Sequence, residues 1–116
     1  MKCYLAGPMS SIPDENHSTF IAGAAALRSA GWTVLSPVEH GTPGMDIHDY
    51  FRWDIDAIFN TDVVVVLRDW QLSKGALVEV AIAQYIGHPV WSLHRALTHA
   101  PGIQGQLFHG GSVAHD

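Results

Sequence analysis

Four short apolar runs punctuate the chain, and between them lie stretches whose apolar residues recur every three or four positions. The runs are "KCYLAG" (2–7), "WTVLSP" (32–37), "DVVVVL" (62–67) and "HPVWSL" (88–93). Gly, Pro or Asp bounds each of them, as expected of buried strands. Four consecutive valines make the third the clearest, because β-branched residues favour strand and a run apolar on both faces belongs inside a covered parallel sheet. After the first run, cap-type residues lead into Phe20, Ile21, Ala24 and Leu27 at helical spacing, ended by Gly31. Ile47, Phe51, Ile55 and Ile58/Phe59 mark a second amphipathic helix. "SKGALVEVAIAQYIG" (73–87) marks a third helix, apolar almost all round. Strand and helix thus alternate over about ninety residues, which predicts one open α/β domain with right-handed crossovers. The expected architecture is a flavodoxin-like or Rossmann-like parallel sheet of four to five strands with helices on both faces. The domain is expected to span 1–109. Within the tail a short helix near 95–100 and a weak strand near 103–108 are expected, with 110–116 disordered.

Composition narrows the function classes. At 116 residues the chain suffices for one core, not two. Hydrophobic content of 47% and mean hydropathy of +0.11 are ordinary, and no apolar run reaches the roughly 18 residues of a membrane span. "MKCYLAGPMS" is too short in its apolar part for a secretory signal. One cysteine, Cys3, allows no internal disulfide; a cytoplasmic, soluble protein is the expectation. The net charge is −5 and the six basic residues (Lys2, Arg28, Arg52, Arg68, Lys74, Arg95) are scattered, which argues against nucleic-acid polymers as partners. A small anion needs only one or two cations and some backbone N–H groups, so it stays admissible.

Ligands of open α/β sheets bind beyond the carboxyl ends of the strands. There the sequence offers "GPMSSI" after the first strand and "RDWQLSKG" after the third, with "WDID" on the helix between. Gly7 permits close backbone approach and Ser10 and Ser11 offer hydroxyls, although an ordinary turn explains the same residues. Glu79 is a stronger signal. It is the only acid between 75 and 87, its helical neighbours Gly75, Ala76 and Ala83 are small, and no charged stripe makes it a surface residue. Asp54, on the preceding helix, can point to the same crevice and give two acids with different pKa values. Asp62 reads as a turn residue. His40, Asp46, His48 and Asp49 suggest a metal but match no tight ligand spacing, so no metal and no cofactor are expected. Cys3 reads as a buried apolar residue, not a nucleophile.

Tyr4 in "YLAGPM", Asp54 in "DIDAIFNTD", and Ser73 and Glu79 in "SKGALVEVAIA" together resemble the nucleoside 2-deoxyribosyltransferase superfamily, including its 2′-deoxynucleoside 5′-phosphate N-hydrolase branch. The order and approximate spacing hold across residues 3–92. The resemblance implies Glu79 as the carboxylate at the anomeric carbon, Asp54 as proton donor to the departing base, and Tyr4 holding Glu79 and keeping it ionised. An oxocarbenium-like transition state asks for such a pair. Ser73 stands where transferases of the superfamily tend to carry an acid. With Lys74 and Gly75, and with Ser10 and Ser11, it suits a 5′-phosphate. "RDWQLSKG" is one residue longer than the comparable loop of the hydrolase branch, and its Trp70 is expected to cover or stack on the base. The resemblance implies a homodimer or larger assembly. Residues that a neighbouring subunit supplies in the family have no clear counterpart in this tail.

These readings converge on cleavage of the N-glycosidic bond of a (deoxy)nucleoside 5′-monophosphate. The alternatives are a nucleotide-binding module without turnover and a deoxyribosyltransferase. A receiver-like domain fits the topology but lacks the acidic pair after the first strand.

Overall fold

The computed structural model describes residues 1–9, 12–40 and 45–100. Strands β1 (Lys2–Ala6), β2 (Thr33–Leu35), β3 (Val63–Val66) and β4 (Val90–Ser92) form one parallel sheet in the spatial order β2-β1-β3-β4. Helices α1 (His17–Ser29), α2 (Ile47–Phe59), α3 (Lys74–Tyr85) and α4 (Leu93–Thr98) complete the described elements. The expected α/β fold with a parallel sheet is therefore the one found.

Period-two alternation along the strands assigns the helices to two layers. Cys3, Leu5, Val63 and Val65 pack with Phe20, Ala24 and Leu27 of α1 and Ala96 of α4 on one face. Tyr4, Ala6, Val64 and Val66 pack with Ala57 and Ile58 of α2 and Val80 and Ala83 of α3 on the other. All four valines of β3 are buried, so the strand is covered on both sides as its sequence implied. Each contributes about 1.5 to 3 kcal/mol relative to exposure.

The ends of α1 and α3 are local. Gly31 (φ 102°) and Gly87 (φ 87°) take the left-handed conformation just past them, and Trp32 N–H and His88 N–H reach back to Leu27 O (3.0 Å) and Ala83 O (2.8 Å). Starts differ more. Asp46 Oδ1 accepts from Asp49 N–H at 2.9 Å to cap α2, and Ser73 Oγ accepts from Ala76 N–H at 3.1 Å to cap α3. α1 begins later than the cap-type residues suggested. The chain first makes a 3₁₀ turn at Pro13–Asn16 in which Asp14, Glu15 and Asn16 are left-handed (φ 55°, 49° and 63°). Asn16 does not cap α1 with its side chain; its amide donates to Pro8 O at 2.9 Å and ties the turn to the end of β1.

Asp62 is the turn residue expected of it: Oδ2 accepts from Lys2 N–H at 3.0 Å and its own N–H donates to Lys2 O at 2.8 Å, joining the starts of β1 and β3. The chain leaves β1 for the β2 edge and leaves β3 for the β4 edge, so the crevice of an open α/β sheet falls between the ends of β1 and β3. The weak strand expected near 103–108 and the tail 110–116 lie outside the described residues, as do Ser10 and Ser11. Among the described residues no helix is long and apolar enough to cross a membrane.

Candidate active site

Tyr4 is fully buried in the central strand β1, on the face covered by α2 and α3. Its hydroxyl donates to Glu79 Oε2 at 2.9 Å across 75 residues of sequence. Glu79, on α3, is only 7% exposed, and Asp54, on α2, 8%. Two adjacent helices on one side of the sheet thus bring two carboxyl groups together over a phenol. They are close enough to share a hydrogen bond, which favours charge on Asp54 and opposes it on Glu79, while burial raises both.

Burial dominates the electrostatics. It lifts Glu79 from 4.5 to about 8, with the Asp54 charge adding to the rise and the Tyr4 hydrogen bond opposing it. Burial raises Asp54 as well, opposed by hydrogen bonds from His40, Glu79 and Tyr4. The Tyr4 hydroxyl is held well above its ordinary value by burial and then by the Glu79 charge, so it remains a donor. The expectation that Tyr4 keeps Glu79 ionised is correct in sign and overruled in size: desolvation and the second carboxylate outweigh one hydrogen bond. With Glu79 lifted to about 8 the pair keeps a proton at neutral pH, and that proton belongs to the pair.

His40, just past the 3₁₀ turn Pro37–Glu39, completes the group. His40 Nε2 lies 3.2 Å from Asp54 Oδ1. The imidazole stacks on Trp53 at 3.6 Å between centroids, with Tyr50 tilted against it at 4.8 Å, and Tyr50 Oη donates to His40 O at 3.2 Å. Proximity to Asp46 and His48 in sequence suggested a metal loop; three-dimensional structure pairs His40 with Asp54 instead. Asp46 serves as the cap of α2, and Asp49 pairs with Arg52 at 3.5 Å. The signal that could have found His40 is its flanking by Tyr50 and Trp53, three positions apart on α2, which can sandwich a ring.

Asp54 and Glu79 line a cavity of about 320 Å³. Gly7 and Met9 reach it from the end of β1, Tyr50 and Phe51 from α2, and Ser73, Gly75 and Ala76 from the start of α3. Tyr4 is not part of the lining; it acts on Glu79 from the sheet side. Gly7 has a packing reason as well: a Cβ there would come within 2.9 Å of Leu67 Cβ. Ser73 Oγ is occupied as acceptor by the helix cap, which leaves its hydrogen free to donate. Lys74 is exposed beside the site and lines an adjoining cavity. Trp70 is not brought to either cavity. It stands in a 3₁₀ turn, Trp70–Leu72, and packs, partly buried, against the core around Tyr4 and Val64. Cys3 lies in the opposite core, where burial pushes its thiol up to about 12 and keeps it protonated.

A family described as "Domain of unknown function (DUF4406)" matches residues 1–92. No curated protein matches in sequence. Among solved structures, a 2-deoxyribosyltransferase from Bacillus psychrosaccharolyticus superposes with a TM-score of 0.66 at 24% identity, covering 79% of this chain and 71% of that one. A 2-deoxyribosyltransferase from Leishmania mexicana gives 0.61 at 20%, covering 78% and 62%. A CMP N-glycosidase from Clostridium botulinum gives 0.58 at 20%, covering 88% and 84%. These likenesses show a shared fold, the one implied by the resemblance of the residues.

Proposed function

The chain belongs to the DUF4406 family, and from that premise we propose that it cleaves the N-glycosidic bond of a (deoxy)nucleoside 5′-phosphate, the monophosphate being the simplest substrate. The observation that carries this reading is the buried Tyr4–Glu79 hydrogen bond beside Asp54, with both acids lining one cavity. A phosphate-binding module gives no reason to bury two acids at its ligand.

In the one-proton state of the pair, Glu79 as carboxylate and Asp54 as acid are complementary to the two ends of the breaking bond. Glu79 attacks C1′, or faces it as a cation develops. The C1′–N bond breaks, its electron pair stays on the base nitrogen, and the Asp54 proton goes there. Water then adds to C1′, giving up a proton to Asp54, and frees Glu79. A cation forming at C1′ favours charge on Glu79, so binding and reaction draw the shared proton toward Asp54. His40 steadies the Asp54 carboxyl and Tyr4 the Glu79 carboxyl. The 5′-phosphate takes the Ser73 hydroxyl, the Lys74 ammonium and free backbone N–H groups at the start of α3. A serine there, rather than an acid, favours this over a transferase acting on free nucleosides. Leu77, Val78 and Tyr85, exposed at 45%, 46% and 92% on α3, favour a homodimer.

The test is incubation with a panel of nucleosides and nucleoside 5′-monophosphates, with and without an acceptor base, while free base is followed by chromatography. Base release from monophosphates, lost in Glu79→Ala and Asp54→Ala, is the expected result. Binding without release would leave a nucleotide-binding module, and release from nucleosides only with an acceptor would leave a transferase.

A further inference from the structure

The cavity that holds the two acids has a larger neighbour of opposite charge. This second cavity, about 590 Å³, is lined by Arg68 beyond the end of β3 and by Lys74 at the start of α3, with Asp69 as the single acid among the described residues. The first is lined by Glu15, Asp54 and Glu79 and by no lysine or arginine. Ser73 and Gly75 line both, so the two hollows meet at the first turn of α3. Gly75 keeps the junction open: only Ser73 Oγ, at 3.8 Å, would touch a Cβ placed there.

The basic hollow exceeds what one phosphoryl group requires. Arg68 and Lys74 come from different elements, and neither has an ion pair or hydrogen bond with a described residue, although Asp69 lies in the same wall. Asn16 also lines this hollow, but its amide is spent on Pro8 O, whereas the exposed Thr19 keeps a hydroxyl. A phosphate at Ser73 and Gly75 has Lys74 for its charge. Arg68 then stands over space that a first phosphate does not fill. Pro8, Ile12 and Leu72 give the remaining wall an apolar character.

Resting on the N-glycosidic reading above, we propose that the preferred substrate class is a nucleoside 5′-diphosphate: the sugar and base occupy the acidic cavity, the first phosphate the Ser73–Gly75 junction, and the second phosphate the basic hollow with Arg68. The bond broken and the bond formed are those given above, since the diphosphate takes no part in them. The pairing of two cations with a short polyanion, and not with a polymer, agrees with the scatter of the remaining basic residues.

Two measurements test this separately from the reaction. Inorganic pyrophosphate and orthophosphate are titrated calorimetrically into the wild type and into Arg68→Ala; the residue is exposed, and circular dichroism with thermal melting checks the fold. Pyrophosphate is expected to bind at least about tenfold more tightly than orthophosphate, with that advantage lost in Arg68→Ala. In parallel, kcat/KM for base release is compared between mono- and diphosphates of one nucleoside, and the diphosphate advantage is expected to shrink by about tenfold in the variant. Equal affinity for the two anions, or an advantage untouched by Arg68→Ala, overturns the diphosphate assignment even when monophosphates are cleaved. Pyrophosphate selectivity through Arg68 without base release from any nucleotide supports the anion site and overturns the N-glycosidic reading instead.

Discussion

Replacing Glu79 by glutamine should strengthen the fold and abolish turnover, and the stabilisation should depend on pH in one particular way. The folded protein holds the Glu79 proton up to about pH 8, whereas an unfolded chain releases it near 4.5. Below pH 4.5 the side chain is neutral in both states, so glutamic acid and glutamine should be nearly equivalent. Between 4.5 and 8 the folded state binds more protons than the unfolded one, so wild-type stability falls as pH rises. Above 8 the buried carboxylate is ionised beside Asp54 and the whole cost is present. At about 1.4 kcal/mol per unit, the shift corresponds to a penalty on the order of 5 kcal/mol. Glutamine cannot ionise, its carbonyl still accepts from Tyr4, and its NH₂ can donate to Asp54. The assay is urea unfolding at pH 5, 7 and 9, comparing midpoints at constant m. The variant should gain little at pH 5 and several kcal/mol at pH 9. A variant no more stable than wild type at pH 9, or one stabilised equally at all three pH values, would refute the argument that buried charge at Glu79 is what burial and Asp54 oppose.

Tyr4→Phe removes the donor that favours ionised Glu79, so the alkaline limb of the pH–rate profile should move to higher pH and kcat should fall, at a stability cost of about 1 to 2 kcal/mol read by denaturation. His40→Ala removes the hydrogen bond that lowers Asp54, so the acidic limb should also move up; an unchanged limb would show that His40 is only packing between Tyr50 and Trp53. Gly7→Ala places a Cβ 2.9 Å from Leu67 Cβ, an atom that no rotamer change can move, and should cost about 1 to 3 kcal/mol by thermal melting. Leu67→Ala should not rescue it, because alanine keeps the clashing Cβ.

The parts of the fold that were legible are those where one physical signal dominates. Four valines in a row admit one placement, a strand covered on both faces, and Gly31 and Gly87 end their helices because the backbone there needs φ above zero. Glu79 was legible by exclusion, since an acid flanked by Ala76, Val80 and Ala83 has no solvated stripe to join. What stayed hidden depends on contacts between segments. His40 falls in a Gly- and Pro-rich stretch with acids nearby, and only the folding of that stretch onto α2 distinguishes a partner of Asp54 from a metal ligand. Trp70 is an aromatic in the loop after β3, and its packing toward the core around Tyr4 depends on the 3₁₀ turn that the loop forms. The late start of α1 has the same origin. Asn16 is a good cap by type, but its backbone is left-handed and its side-chain NH₂ donates to Pro8 O past β1 instead of its oxygen accepting from the first turn of α1.

The arrangement also explains why the sheet has a tyrosine at its centre. Ala6, the other buried residue of β1 on the α2 and α3 face, is apolar, and a phenylalanine at position 4 would fill similar space in the core. Only the hydroxyl reaches Glu79. Without it, two buried acids would divide one proton with nothing to favour charge on α3, and the His40 hydrogen bond would draw the negative charge to Asp54. Tyr4 acts from the opposite side, lowering Glu79 while His40 lowers Asp54. The balance of the pair therefore rests on Tyr4 at Glu79 and on His40 with Tyr4 at Asp54, and the last proton is shared between the two acids. A positive centre forming at the mouth of Glu79 is enough to tip such a balance, and tipping it leaves the acid where a departing base would need it.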